Sequence, residues 1–194
     1  MVNTDRRTRL GDAAMEVLAE HGGRGLTHRA VDAVADVPAG TAKNYFPTRD
    51  ALLRAAAEQC VRQYRAITEE LAARGPSPDS RRALVAQLTG LLADVAGPGR
   101  TRLLACLELQ AEAARRPALS DILDPIAASD FPGMEAAQRA AGLPLTPAAS
   151  RTVTLALHGA ITHLLAGGPA TIAAAGLDDL DRFVRELLDA VRPE

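Results

Sequence analysis

Apolar residues in this chain recur at three- and four-residue spacings, in stretches set apart by proline and glycine, and runs of β-branched residues are absent. Alanine and leucine, both strong helix formers, dominate those stretches, so an all-α fold is predicted. With 194 residues, 47% of them hydrophobic, 24% charged and 3% aromatic, the chain can bury a core and has room for one or two small domains. Disordered and collagen-like architectures are excluded. No apolar run approaches the roughly 20 residues that cross a bilayer, and Met1 to Leu10 lacks the apolar stretch of a secretory signal, so a soluble, cytoplasmic protein is expected.

A net charge of −2 excludes binding of nucleic acid by bulk electrostatics, so any such binding must use a local surface. Cys60 and Cys106 fall inside apolar helical patterns rather than at a paired spacing, and are expected to be buried small hydrophobes, neither bridged nor metal-binding. His158 and His163 are five residues apart, which is not a helical metal pair, so neither metal nor cofactor is expected. Phosphate-binding glycine loops, His-Glu-x-x-His and Gly-x-Ser-x-Gly are missing, which argues against an enzyme.

The first helix is marked by Leu10, Ala14, Val17, Leu18 and His21 on one stripe and ends at Gly22-Gly23. Thr27 is a natural N-cap for a short helix through Ala35 with Ala30, Val31 and Val34 inward; a second short helix, about Ala39 to Tyr45, stops before Pro47. Two helices of two turns joined by a tight turn form a helix-turn-helix unit, and the first helix must supply the third side of its core. Thr48 caps a long connector helix with Leu53, Ala57, Cys60, Tyr64, Ile67 and Leu71 on one side, ending at Gly75-Pro76-Ser77-Pro78. Four more helical stretches are expected downstream, divided at Gly97-Pro98-Gly99, by a region from Pro117 to Pro147 in which Pro125 and Pro132-Gly133 keep helices short or kinked, and at Gly167-Gly168-Pro169. Thr146-Pro147 opens a helix bearing Val153, Leu157, Ile161 and Leu164; the last helix, about Leu177 to Val191, carries Leu180, Val184, Leu187 and Val191, with Asp178, Asp179 and Asp181 at its start.

The informative segment runs from Gly40 to Leu53. Ala42 and Phe46 take the inward i and i+4 places of its short helix, so Thr41, Lys43, Asn44 and Tyr45 leave a dense hydrogen-bonding edge facing out. Lysine can take phosphate or guanine, asparagine adenine, threonine a thymine methyl or phosphate, and a tyrosine hydroxyl the backbone; Gly40 keeps the helix start slim enough for a major groove. An ordinary solvated helix face is the other reading of these residues alone.

The stretch from Arg6 to Ala55 resembles the N-terminal domain of the TetR family of transcriptional repressors. The likeness lies in the Gly22-Gly23 helix end, Leu26-Thr27-His28-Arg29-Ala30-Val31, the Val37 turn, Gly40-Thr41, Asn44-Tyr45-Phe46 and Arg49-Asp50-Ala51-Leu52-Leu53. It implies a helix-turn-helix DNA-binding domain at residues 1–47. Residues 48–194 would be the connector helix with a helical regulatory, ligand-binding and dimerisation domain. It further implies that Thr27 and Arg29 touch phosphates, that Thr41, Lys43, Asn44 and Tyr45 sit in or beside the major groove, and that Arg49 holds the DNA backbone. Lys43 stands where the family usually has tyrosine, Ala39 where it often has lysine and Pro38 where it often has serine, so Lys43 either replaces a phosphate contact or reads guanine.

Seven basic residues meet seven acidic ones in residues 1–50, so binding must rest on placement. A single module buries only about 600 to 1,000 Å² on DNA, so two copies are needed. The resemblance implies a homodimer on a palindromic operator, built from the last two helices, with Leu155, His158, Gly159, Thr162, Phe183 and Leu187 as its interface. Between about Arg100 and Arg116, Leu103, Leu104, Leu107 and Ala111 form an apolar side. The resemblance implies that this helix lines a ligand cavity, which makes Leu104, Leu107, Glu108 and Ala111 candidate walls of a pocket for a small-molecule effector; solvated surface is the other reading of its polar residues. The expected function is a ligand-responsive regulator, a repressor released from its operator by that effector; a helical protein-protein adaptor is the alternative.

Overall fold

The computed structural model describes residues 2–73, 80–143 and 145–192, and every regular element among them is an α-helix. The helices are α1 (Val2–Gly25), α2 (His28–Val34), α3 (Thr41–Tyr45), α4 (Arg49–Ala73), α5 (Ser80–Ala96), α6 (Arg100–Ala113), α7 (Pro117–Ala140), α8 (Pro147–Ala166), α9 (Pro169–Ala174) and α10 (Leu180–Ala190). The expected end of the connector at Gly75-Pro76-Ser77-Pro78 lies outside the described residues. The chain divides into two compact units, one of Met1–Leu71 with Thr101–Ile126, the other of Ala72–Arg100 with Ala127–Glu194.

The core of the first unit is built as the apolar spacing requires. Leu10, Ala14, Val17 and Leu18 of α1 are fully buried with Leu26, Val31, Ala42, Phe46, Leu52 and Leu53. His21, expected on the same stripe, is exposed instead. The chain leaves the helical path at Gly22 (φ 64°, ψ −177°), and Leu26, beyond that break, is the next residue to reach the core. Val34 is likewise not inward, at 37% exposure; Ala35, four residues on from Val31, takes the buried place. The caps stand where the sequence puts them. Thr27 Oγ1 accepts the Ala30 N–H at 3.1 Å, and Thr48 Oγ1 accepts that of Ala51 at 3.0 Å.

Cys60 on α4 and Cys106 on α6 are joined as a disulfide across a Cα–Cα distance of 6.5 Å, which corrects the expectation of separate thiols. The partners are 46 residues apart, and it is the packing of two helices that brings them together. On α6 the fully buried residues are Ala105 and Leu109, not the expected row through Ala111, which is exposed. The row drawn through Leu103, Leu104 and Leu107 is only half-buried.

In the second unit, α5 packs against α8 and α10 through Leu84, Val85, Leu88 and Leu92, meeting Val153, Leu157, Val184 and Leu188. Thr146 caps α8 by accepting the Ala149 N–H at 3.2 Å, with Pro147 in the first turn, and Asp179 caps α10 by accepting that of Arg182 at 3.0 Å. Among the described residues six helices follow the connector rather than four, α7 and the short α9 being the additions. The expected break from Pro117 onward is corrected: α7 runs unbroken to Ala140 with Pro125 and Pro132 inside it. Both prolines are exposed and, seven residues apart, share a face, so the carbonyls they leave without an N–H donor can turn to water.

Candidate nucleic-acid interface

α3 is only five residues long, too short to hold its shape alone. Asp32 of α2 anchors it. Its carboxylate, 4% exposed, accepts the Gly40 N–H at 2.7 Å and the Ala42 N–H at 2.6 Å, which satisfies two donors at the start of α3 with charge-assisted bonds. Gly40 takes φ +90°, a left-handed conformation that glycine adopts without strain; a Cβ there would meet nothing, so its conformation explains the residue. At the other end, His28 Nε2 lies 2.6 Å from the Phe46 carbonyl oxygen and donates to it. Below, Ala42 and Phe46 fill the core, and the Arg7 guanidinium lies 4.9 Å from the centre of the Phe46 ring.

With both ends and the inner side fixed, the outer edge of α3 is left to Lys43 and Asn44. Both are exposed, as is Arg29 on α2, and no other described residue holds these three side chains. Tyr45 is half-buried, its ring centre 6.4 Å from that of Phe46. The Thr41 hydroxyl donates to the Pro38 carbonyl at 2.5 Å, and Thr27 is occupied as the cap of α2. Six of the seven expected contact residues thus lie on the α2–α3 module. Arg49 is engaged elsewhere: its guanidinium donates to the carbonyls of Gly23 at 2.5 Å and Leu26 at 2.8 Å, with Glu112 at 3.9 Å.

α6 reaches that same point. Glu108 Oε2 accepts the Gly23 N–H at 2.9 Å, and Glu112 pairs with Arg116, which in turn lies 3.5 Å from Asp50. Glu108, expected on a pocket wall, is therefore committed to the end of α1. A cleft of about 630 Å³ in this unit is bordered by Arg7, Tyr45, Phe46, Arg54, Arg115 and Leu119, and none of Leu104, Leu107, Glu108 and Ala111 lines it.

Sequence reading missed Asp32, because an aspartate inside a short helix looks like a solvated charge until its partners eight and ten residues away are known. It also missed Gln138, whose side chain is 2% exposed yet whose amide has no hydrogen-bond partner among the described residues, and Ser150, whose buried hydroxyl has none among them either. In the second unit His158 Nε2 lies 3.0 Å from Asp130 Oδ2 and edge-on to Phe131, so it is an ordinary hydrogen-bonded histidine. Leu155 is 60% exposed, Gly159 and Thr162 are exposed, and His158, Phe183 and Leu187 are half-buried.

A tight α2–α3 pair braced by α1, with a polar outer edge on its second helix, is the construction of a helix-turn-helix DNA-binding protein. Comparison with known proteins names the kind. The profile of bacterial regulatory proteins of the tetR family matches residues 10–56, that of the tetracyclin repressor-like C-terminal domain matches residues 79–190, and the chain belongs to this family. The multidrug binding protein EbrR, solved in complex with imidazole, is 31% identical, with 97% of this chain and 96% of that one covered and a TM-score of 0.63. A TetR-family member (SCO1917) from Streptomyces coelicolor A3 is 30% identical over 97% of this chain and 99% of its own, with a TM-score of 0.66. A transcriptional regulator (RHA1_ro04179) from Rhodococcus sp. Rha1, 22% identical, covers 95% of each chain with a TM-score of 0.75 and is similar in fold. No curated protein matches the chain. The all-α fold and the family resemblance are borne out: this is a DNA-binding transcription regulator and not an enzyme. No helix among the described residues is long and apolar enough to cross a membrane.

Proposed function

We propose that the protein is a homodimeric repressor that binds a palindromic operator and releases it when a small organic effector binds. The observation that carries the DNA reading is the outer edge of α3, where Lys43 and Asn44 are exposed and unengaged while Asp32 holds the helix from behind. In this reading Lys43 and Asn44 address base edges, while Thr27, Arg29, Thr41 and Tyr45 take phosphates. Arg49 braces the module through Gly23 and Leu26, and reaches a phosphate only by releasing those carbonyls. Two modules bound one turn apart, roughly 34 to 36 Å, need a dimer, for which the exposed row Leu155, Gly159 and Thr162 with His158, Phe183 and Leu187 is the proposed seam.

The effector reading draws on relatives about 30% identical whose structures hold imidazole or ethidium. Leu104 and Leu107 of the first unit remain wall candidates, whereas Glu108 is committed to the Gly23 N–H. Such a ligand shifts the protein off DNA only by binding one conformation better than the other. Selection of bound duplexes from a random pool tests the function. A recovered palindrome supports it; no enrichment at all favours the helical adaptor.

A further inference from the structure

Two polar contacts by which α6 holds the N-terminal helices of the first unit lie close to one covalent link. Cys106 precedes Glu108, which holds the Gly23 N–H, by two residues, and Glu112, which neighbours Arg49, by six. Its partner Cys60 lies eleven residues into the connector helix from Arg49, about 16 Å at 1.5 Å per residue. A bond at this point fixes the register of α6 on α4. A slip of one helical turn, about 5.4 Å, would carry Glu108 off Gly23 altogether.

The two sulfurs differ in access. Cys60 is 3% exposed in the core, whereas Cys106 is half-buried. A regulator that works on bacterial DNA meets thiol-reducing conditions, under which a disulfide is conditional on oxidant and serves sensing more often than structure. We propose that Cys60 and Cys106 are a reversible dithiol–disulfide site for a hydroperoxide, and that their pairing locks α6 onto the α1 end and thereby sets affinity for DNA; this rests on the DNA-binding reading above.

The chemistry balances within the pair and one peroxide. The Cys106 thiolate attacks a peroxide oxygen, the O–O bond breaks, and the leaving alkoxide takes the proton that the thiol released, leaving a sulfenic acid. The Cys60 thiolate then attacks the sulfenic sulfur, the S–S bond forms, and hydroxide leaves as water with the Cys60 proton. Each sulfur is oxidised by one electron and the peroxide is reduced by two. A dithiol reductant reverses the result through a mixed disulfide.

The full-length protein is reduced, treated with one equivalent of hydrogen peroxide, and followed by intact mass and free-thiol count. Hydrogen exchange at the Gly23 amide and affinity for a selected duplex are measured in both states. The expected result is loss of two hydrogens and of both thiols, slower exchange at Gly23, and a change in duplex affinity of about tenfold or more, all reversed by dithiothreitol. Cys60→Ala and Cys106→Ser should each abolish the response; the second, at the half-buried partner, keeps the test sound if the first disturbs the core. Thiols that stay unpaired, or pairing that leaves Gly23 exchange or duplex affinity unchanged, would overturn the proposal. A duplex held equally in both states overturns only the redox site, whereas no duplex held in either overturns the DNA-binding reading itself.

Discussion

Asp32 shows how one side chain can set the pose of a whole helix. Its two oxygens answer two backbone donors at 2.6 and 2.7 Å, and an amide in its place could accept from only one while pointing its own N–H at the other. Asp32→Asn should therefore destabilise the protein by about 1–3 kcal/mol in urea unfolding, and weaken operator binding beyond what the lost stability explains. Gln138 works the other way. Its buried amide has no partner among the described residues, so Gln138→Leu should raise stability by roughly 1 kcal/mol or more; an unchanged urea midpoint would mean the amide is satisfied.

At the scale of elements, what was legible in the sequence was local. Thr27, Thr48 and Thr146 cap helices because each lies three residues before the amide it accepts from, a distance any reader of the chain can count. The inward pair Ala42 and Phe46 follows from the same turn geometry, and it exposes Lys43 and Asn44 by elimination. The Cys60–Cys106 link, the Glu108–Gly23 bond and the inward turn of Arg49 were not legible, since each joins residues 23 or more positions apart whose meeting depends on helix packing. α7 departs from the expected break for a different reason. The proline rule assumes that a carbonyl robbed of its donor stays unsatisfied, and on an exposed face it does not. Pro125→Ala and Pro132→Ala restore helix-compatible residues on that face, so each should stabilise the fold by about 1–3 kcal/mol, read from the thermal midpoint.

For the whole molecule, the proposed function pairs two recognition edges, because one module covers too little DNA and residues 1–50 have no excess of positive charge to add. Leu155, 60% exposed on α8, is the most exposed large apolar side chain described, and in the proposed dimer a charge there would meet its own copy across the two-fold axis. Leu155→Glu should give monomers in sedimentation with the helix content unchanged, and lose most operator affinity; a dimer of normal affinity would place the seam elsewhere.

The outward edge of α3 is tested most directly by duplex titration of the Lys43→Ala, Asn44→Ala double variant against the unaltered protein, both checked as folded dimers. Loss of two base contacts at about 1–3 kcal/mol each predicts affinity for the selected palindrome weakened by roughly a hundredfold, with discrimination between sequences relaxed. Equal affinity and equal discrimination in the two proteins would contradict it.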